Sequence, residues 1–131
     1  MERLKEALEN AGKIHGHICP SLFYGVSLAL KLKDVIHAEE GEDYTLVLEG
    51  KSVCIRDGVQ SVFGQMSHLT VKDTGECAIE ASFDHRKYRI RLLDSVRAKI
   101  NEFHSQYPLL EFRKKGVDYL FSLKEEELFH F

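Results

Sequence analysis

The sequence lacks the features that mark several common functional classes. No apolar run approaches the ~20 residues that a membrane-spanning helix needs, so no membrane partner is expected. A formal net charge of −3 gives no basic excess, which argues against a nucleic-acid partner. A glycine-rich phosphate loop, a dinucleotide fingerprint and a pair of catalytic carboxylates at a recognisable spacing are all missing. These absences leave the substrate class open.

Cysteine is scarce, and its three positions do not form pairs in the sequence. An odd number of cysteines without a C-x-x-C pair argues against a disulfide framework, a zinc ribbon and a thioredoxin-type redox site. The first residues, 1–6, are charged and amphipathic rather than typical of a signal peptide. We therefore expect a cytoplasmic protein in which each cysteine acts singly.

Length and composition predict one globular domain over residues 1–131. Hydrophobic residues make up 44% of the chain and charged residues 30%, close to globular averages. Apolar spacing predicts a helix over 2–13, and Pro20 suits the first position of an almost wholly apolar helix that runs to about residue 33. A strand over 44–49 and a helix over 53–63 follow.

The second half of the chain adds further strands. Residues 68–72 and 76–83 are expected to form a hairpin that turns at 73–75. The other predicted elements are a strand over 88–92, a helix capped by Asp94 that runs to about residue 104, and a short acidic helix over 124–128. Two leading helices followed by strands interleaved with helices predict an α+β fold, with a mixed or antiparallel sheet packed against helices.

The segment His15-Gly16-His17-Ile18-Cys19-Pro20 concentrates reactive side chains. The residue before a proline avoids helical geometry, so Cys19 should be extended and lie just ahead of a helix start. There the helix dipole should lower the pKa of the thiol and favour the thiolate. In an extended segment His15, His17 and Cys19 would share one side.

A second segment, Cys54-Ile55-Arg56-Asp57-Gly58-Val59-Gln60, lies in the first turns of the helix that Ser52 is expected to cap. The carboxylate of Asp57, one turn after Cys54, can reach the neighbourhood of the sulfur. Cys77 is interpreted as a small buried hydrophobic residue. The two segments together supply the remaining cysteines and two histidines for one site.

Two chemistries are open to this set. His15, His17, Cys19 and Cys54 form a ligand set for zinc or another divalent transition metal such as iron, nickel or copper. Four protein ligands would make the site structural, whereas three would leave a position for catalysis. The other chemistry is metal-free, with Cys19 as a nucleophile that His17 activates. On either hypothesis Cys19 and Asp57 are the candidate catalytic residues.

These residues resemble a known family. The chain is similar to the formylmethanofuran dehydrogenase (E-subunit) family in His-Gly-His-x-Cys-Pro at 15–20, in Gly25 on the apolar helix, and in Cys-x-x-Asp-Gly-x-Gln at 54–60. Gly64, the Asp-x-Gly turn at 73–75 and the tail over 123–129 extend the resemblance over nearly the whole chain.

The resemblance implies an α+β homodimer whose cleft holds histidine and cysteine, commonly with a metal. Carried over, it assigns His15, His17, Cys19 and Cys54 to the site, with Asp57 and Gln60 in support. The family is named for an operon that encodes a molybdenum or tungsten enzyme, so a larger redox enzyme is a second possible partner. A non-catalytic accessory or metal-delivery protein would then dock through its apolar second helix and its apolar end, Leu128, Phe129 and Phe131.

The chain departs from the family pattern in two places. Many members carry a C-terminal zinc-binding module with paired cysteines, but this chain has no cysteine after Cys77. Many also have Gly-Cys-Thr and a Gly-Lys-Gly-Asn turn after the second motif. Here the equivalent stretch, 64–68, is shorter and has neither that cysteine nor that lysine.

Overall fold

Helices and strands alternate irregularly in the computed structural model, which describes residues 2–36, 44–50, 52–64, 69–83 and 85–130. Within these ranges the helices are α1 (Glu2–His15), α2 (Pro20–Ile36), α3 (Val53–Phe63), α4 (Asp94–Gln106), α5 (Leu109–Phe121) and α6 (Glu125–Leu128). The strands are β1 (Thr45–Glu49), β2 (Leu69–Lys72), β3 (Ala78–Ser82), β4 (Lys87–Leu92) and β5 (Phe129–His130). The predicted α+β class is confirmed. Of the helices in these ranges, none combines the length and apolar character that a membrane span requires.

The sheet is mixed, with the strand order β2-β1-β3-β4-β5. Strand β1 lies between β2 and β3, parallel to the first and antiparallel to the second. The predicted hairpin over 68–72 and 76–83 is therefore wrong, because its two strands do not pair. The connection passes across the end of β1, where the Thr74 hydroxyl donates to Glu49 (3.0 Å). Strand β1, whose Leu46 and Leu48 are both 0% exposed, lies inside the sheet, and the more exposed β2 forms its edge.

Helix α2 forms the centre of the core. Its residues Leu22, Phe23, Val26 and Leu28 are all 0% exposed. Helices α1, α3 and α5 and strands β3 and β4 pack around it. Because neighbours lie on several sides, the helix is buried through most of its length, and its exposed residues Lys33 and Asp34 lie in its last turns. Its apolar side chains are buried against other elements of this chain.

Two glycines set the distance between α2 and α3. A Cβ atom at Gly58 would lie 2.7 Å from the backbone oxygen of Leu22, and one at Gly25 would overlap the backbone oxygen of Ile55. Helices can approach this closely only where both lack side chains. Gly58 costs α3 about 1 kcal/mol of helix propensity, and the close packing against α2 explains why it is there.

The C-terminal half differs most from the sequence-based expectation. Leu93, whose side chain makes no capping bond, is the N-cap of α4. The Asp94 cap prediction is therefore wrong by one residue, and the Asp94 carboxylate lies 3.4 Å from Arg91. Helix α5 has no counterpart among the predicted elements, and Pro108 precedes its first turn.

The chain's apolar end belongs to the core. Strand β5 pairs with β4, and Leu128 and Phe129 are only 3% and 6% exposed. The expectation that these residues form an exposed contact surface is wrong, because they complete the sheet edge and the packing beneath it. Phe131, also part of that expectation, lies outside the described residues.

Candidate metal centre

The first ligand segment begins at the end of α1. His15 is the last helical residue, and Gly16 follows with a φ of 106°, which favours glycine. The Gly16 amide donates to the Gly12 carbonyl (2.8 Å), so the helix ends in a tight turn. The predicted extended segment is therefore wrong at His15. The turn nevertheless brings the two imidazoles together, with the ring centroids of His15 and His17 4.5 Å apart.

The second segment begins at the start of α3. The Ser52 hydroxyl accepts the Cys54 amide (3.2 Å) and caps the helix, as predicted. Cys54 and Asp57 are three residues apart and share a face of the helix, so both reach the end of α1. The glycine contact between α2 and α3 holds this face in place.

The contacts centre on the Cys54 sulfur. Its distance is 3.1 Å to His15 Nε2 and 4.0 Å to His17 Nε2. Tetrahedral zinc imposes about 3.5 Å between neighbouring ligand atoms, a value that these two contacts bracket. Donor atoms of the three half-buried residues all lie within 4.8 Å of one another, and the group could hold a metal ion.

Asp57 orients His15. Its Oδ2 lies 2.6 Å from His15 Nδ1, and the two side chains are 30% and 9% exposed. A carboxylate accepts, so the ring donates from Nδ1 and keeps the Nε2 lone pair for the Cys54 side. Metal-binding histidines are commonly held by a carboxylate in this way. The arrangement suits a metal ligand, and it also suits a base directed at a thiol.

Cys19 lies beside the group but outside it. Its thiol interacts with that of Cys54, and the residue is 7% exposed. Burial raises the pKa of the Cys19 thiol to about 11, although the backbone amides of Leu22 and Ser21 act in the opposite direction. The expectation of a lowered pKa is wrong, because desolvation outweighs the helix start.

His17 connects the group to a large cleft. Burial, then the charge of Arg113, then His15 lower the pKa of this ring, so it stays neutral to a lower pH than an exposed histidine. His17 and Cys19 line a cleft of about 650 Å³ that residues of α4 and α5 also line. Its volume is that of a small-molecule site. Sequence reasoning missed Arg113 and the cleft because it missed α5 itself.

Two further residues, Cys77 and Gln60, also carry predictions from the sequence. Cys77 is 2% exposed, which confirms its prediction as a core residue, and burial raises its pKa to about 12. Gln60 is on α3, where its carbonyl accepts the Gly64 amide (2.7 Å); its supporting role stays a prediction. Most of the stretch 64–68, where the chain departs from the family pattern, lies outside the described residues, which leave out 65–68.

The family of the chain follows from a comparison with family models. The model described as FmdE, molybdenum formylmethanofuran dehydrogenase operon, matches residues 14–130. This chain belongs to the FmdE family. Both ligand segments lie inside the matched range, and the resemblance stated from the motifs is confirmed.

A solved FmdE-like structure shows the same fold. It is a tungsten formylmethanofuran dehydrogenase FmdE-like protein from Syntrophus aciditrophicus, 24% identical in sequence. The TM-score is 0.52, and the match covers 88% of this chain and 67% of that chain. None of the curated proteins gives a significant match. At this identity the likeness supports the fold.

Proposed function

We propose that this protein holds one divalent transition metal, first of all zinc, between His15, His17 and Cys54. We further propose that the metal serves chemistry on a small molecule in the adjoining cleft. The supporting observation is the convergence of two imidazole nitrogens and one sulfur within 4.8 Å, with a carboxylate behind one imidazole. Mixed nitrogen and sulfur ligands suit zinc, and they also suit iron or nickel.

The number of protein ligands favours catalysis. Catalytic zinc sites use three protein ligands and leave one position open, whereas structural sites use four. Here three donors converge, and the His17 side adjoins the cleft. A metal there would act as a Lewis acid toward a group bound in the cleft. Asp57 would keep the proton of His15 on Nδ1, and the buried Cys19 would shield one side of the site from water.

A cytoplasmic location is part of the proposal. The three cysteines are free thiols, and one of them would be a metal ligand. A reducing compartment keeps such thiols available.

Metal uptake tests the proposal. Protein purified without chelators should contain about one transition metal per chain by elemental analysis. Added Co²⁺ should give a thiolate-to-cobalt charge-transfer band. Cys54→Ser should abolish the band, and His15→Ala should weaken Co²⁺ binding at least tenfold, about 1.4 kcal/mol. Cys19→Ser distinguishes a three-ligand site from a four-ligand site. A three-ligand site would keep the charge-transfer band in this variant, whereas a four-ligand site that includes Cys19 would lose much of it.

Cys77→Ser is the control, because it also removes a free thiol but lies outside the ligand group. It should leave Co²⁺ binding unchanged. A metal-free protein that also takes up no Co²⁺ or Zn²⁺ in titration would contradict the proposal.

A metal-free function is the second candidate, and one observation favours it. Asp57, His15 and Cys54 form a chain of contacts of 2.6 and 3.1 Å, which is the order of orienting acid, base and nucleophile. For this alternative we propose Cys54, rather than Cys19, as the reactive thiol. Rapid alkylation of Cys54 at pH 7.5 that is insensitive to chelator and lost in His15→Ala would favour it. Protection of Cys54 by Zn²⁺ would favour the metal.

A homodimer is also part of the proposal, since the family resemblance predicts one, and a larger redox enzyme is the alternative partner. Ile14 and Leu110 are 79% and 76% exposed, and both are candidates for a contact surface. Sedimentation equilibrium should give twice the mass of the 15.1 kDa chain if the protein is a homodimer.

A further inference from the structure

Arg113 is a cation at the cleft wall with no counter-ion among the described residues. It is half-buried on α5 and lines the cleft together with His17 and Cys19. Within the described ranges it makes no ion pair or hydrogen bond, and its positive charge helps to lower the pKa of His17. A partly buried guanidinium keeps its charge, so a site around it gains from a bound anion.

The other charges of the cleft are grouped elsewhere. Arg97, on α4, donates to the Gly75 carbonyl (2.8 Å) and acts electrostatically on Cys77, as Glu76 does. Glu76 also lies 3.7 Å from Arg91. The remaining carboxylate, the exposed Asp73, precedes the same turn. Both carboxylates therefore belong to the turn whose Gly75 carbonyl Arg97 contacts, whereas the charge of Arg113 acts on His17.

The wall formed by α4 and α5 carries an apolar part beside the polar residues Asn101 and His104. Ile100 of α4 and Leu109 and Phe112 of α5 line the cleft. A ligand that fills the space would therefore combine an apolar body with a charged group at one end. His104 also lines this wall and can add a second donor.

We infer that the cleft binds a small organic anion, whose carboxylate or phosphate pairs with Arg113 and whose apolar body lies along α4 and α5. A guanidinium matches both oxyanions with two parallel hydrogen bonds. The inference rests on the proposed function, since Arg113 adjoins His17 and would place the ligand beside the metal. Arg113 is then a binding residue, and His17 serves both the metal and the cleft.

The test uses ligand-observed NMR titration of zinc-loaded protein. The probes are benzoate, phenylphosphonate and the neutral benzamide. At least one anion should bind, with benzamide at least tenfold weaker. Arg113→Gln should weaken the anion at least tenfold, and Arg113→Lys should lose less. Lys114→Gln is the control, because it removes the same charge one residue along α5.

The outcomes separate the inference from the proposed function. Zinc content and thermal unfolding are measured for each variant first. A zinc-loaded wild type that binds neither anion overturns the inference alone. Equal anion affinity in wild type and Arg113→Gln, or an equal loss in Lys114→Gln, also overturns it. A wild type that takes up no zinc overturns the proposed function, whatever the anions do. The preference between benzoate and phenylphosphonate identifies the head group.

Discussion

At the scale of single residues, Gly16 has a larger effect on the site than its size suggests. Gly16 has no side chain, and no atom lies within 4 Å of the position that a Cβ would occupy. Its positive φ ends α1 and turns His17 back toward His15. Backbone conformation at one position therefore decides whether two imidazoles face the same sulfur.

Gly16→Ala should separate site geometry from general stability. A non-glycine residue at this φ costs about 1–2 kcal/mol of unfolding free energy. We expect that loss together with at least a tenfold weaker affinity for Co²⁺, because His17 would be redirected. Gly64→Ala is the matched control, since Gly64 also has a positive φ of 82° and open space at the end of a helix. It should lose similar stability and keep its metal affinity; equal affinity losses in both would contradict this account.

An ion pair on the sheet predicts a pH dependence. Arg89 Nε donates to Glu49 Oε2 (2.9 Å), and this bond, more than any other cause, lowers the pKa of Glu49 from its ordinary value of 4.5. A lowered carboxyl pKa stabilises the fold above the unfolded-state value. The contribution is lost as the pH falls through the folded-state pKa, which lies below 4.5.

The variant Arg89→Met measures this contribution. At pH 7 it should lose about 0.5–1 kcal/mol of unfolding free energy, since the Arg89 side chain is 39% exposed and screened by solvent. Urea unfolding at pH 7 and again below pH 4 should show the difference shrinking at acid pH. Lys87→Met, which breaks a 3.8 Å pair with Glu80 at a 73% exposed side chain, should change little at either pH. If the loss of unfolding free energy in Arg89→Met were larger at acid pH than at pH 7, the stabilising role given to the Arg89–Glu49 pair would be wrong.

At the scale of elements, the α2–α3 contact joins the core to the site. Helix α3 carries Cys54 and Asp57, and its distance from α2 is fixed where Gly58 meets the Leu22 carbonyl. Any side chain at this point must push the two helices apart. The ligands on α3 would then move away from the end of α1.

Gly58→Ala should therefore destabilise the protein even though alanine favours helices. Overpacking costs about 1–3 kcal/mol and helix propensity returns up to about 1 kcal/mol, so a net loss of about 1–2 kcal/mol is expected. Chemical denaturation measures the loss, and Co²⁺ affinity should fall with it. Arg56→Ala, exposed on the same helix, should be close to neutral. A stabilised Gly58→Ala would show that the helices can separate without cost.

The elements also show what local sequence can predict. The bounds and the cap of α3 are predictable because the Ser52 capping bond and the helical spacing of apolar residues are both local in sequence. Strand partners depend on distant contacts, so the pairing of β2 with β1 could not be read from the turn at 73–75. Helix α5 has charges and Gly116 in its middle, and tertiary packing forms it.

The same division holds for the site. The motifs identify His15, His17, Cys54 and Asp57 as neighbours because their spacing and types are unusual. The burial of Cys19 depends on tertiary packing, which a short motif does not reveal. For this reason the lowered pKa expected for its thiol is wrong. Arg113 comes from a helix far along the chain and carries no local signal.

At the scale of the whole molecule, the ligands enclose a long piece of chain. His17 and Cys54 are 37 residues apart, and the segment between them includes α2 and β1. An ion that joined them would restrict the unfolded chain as a cross-link does, and closing a loop of this length removes considerable conformational entropy. Metal binding would then resist unfolding of the central helix and strand, in addition to any chemistry it serves in the cleft.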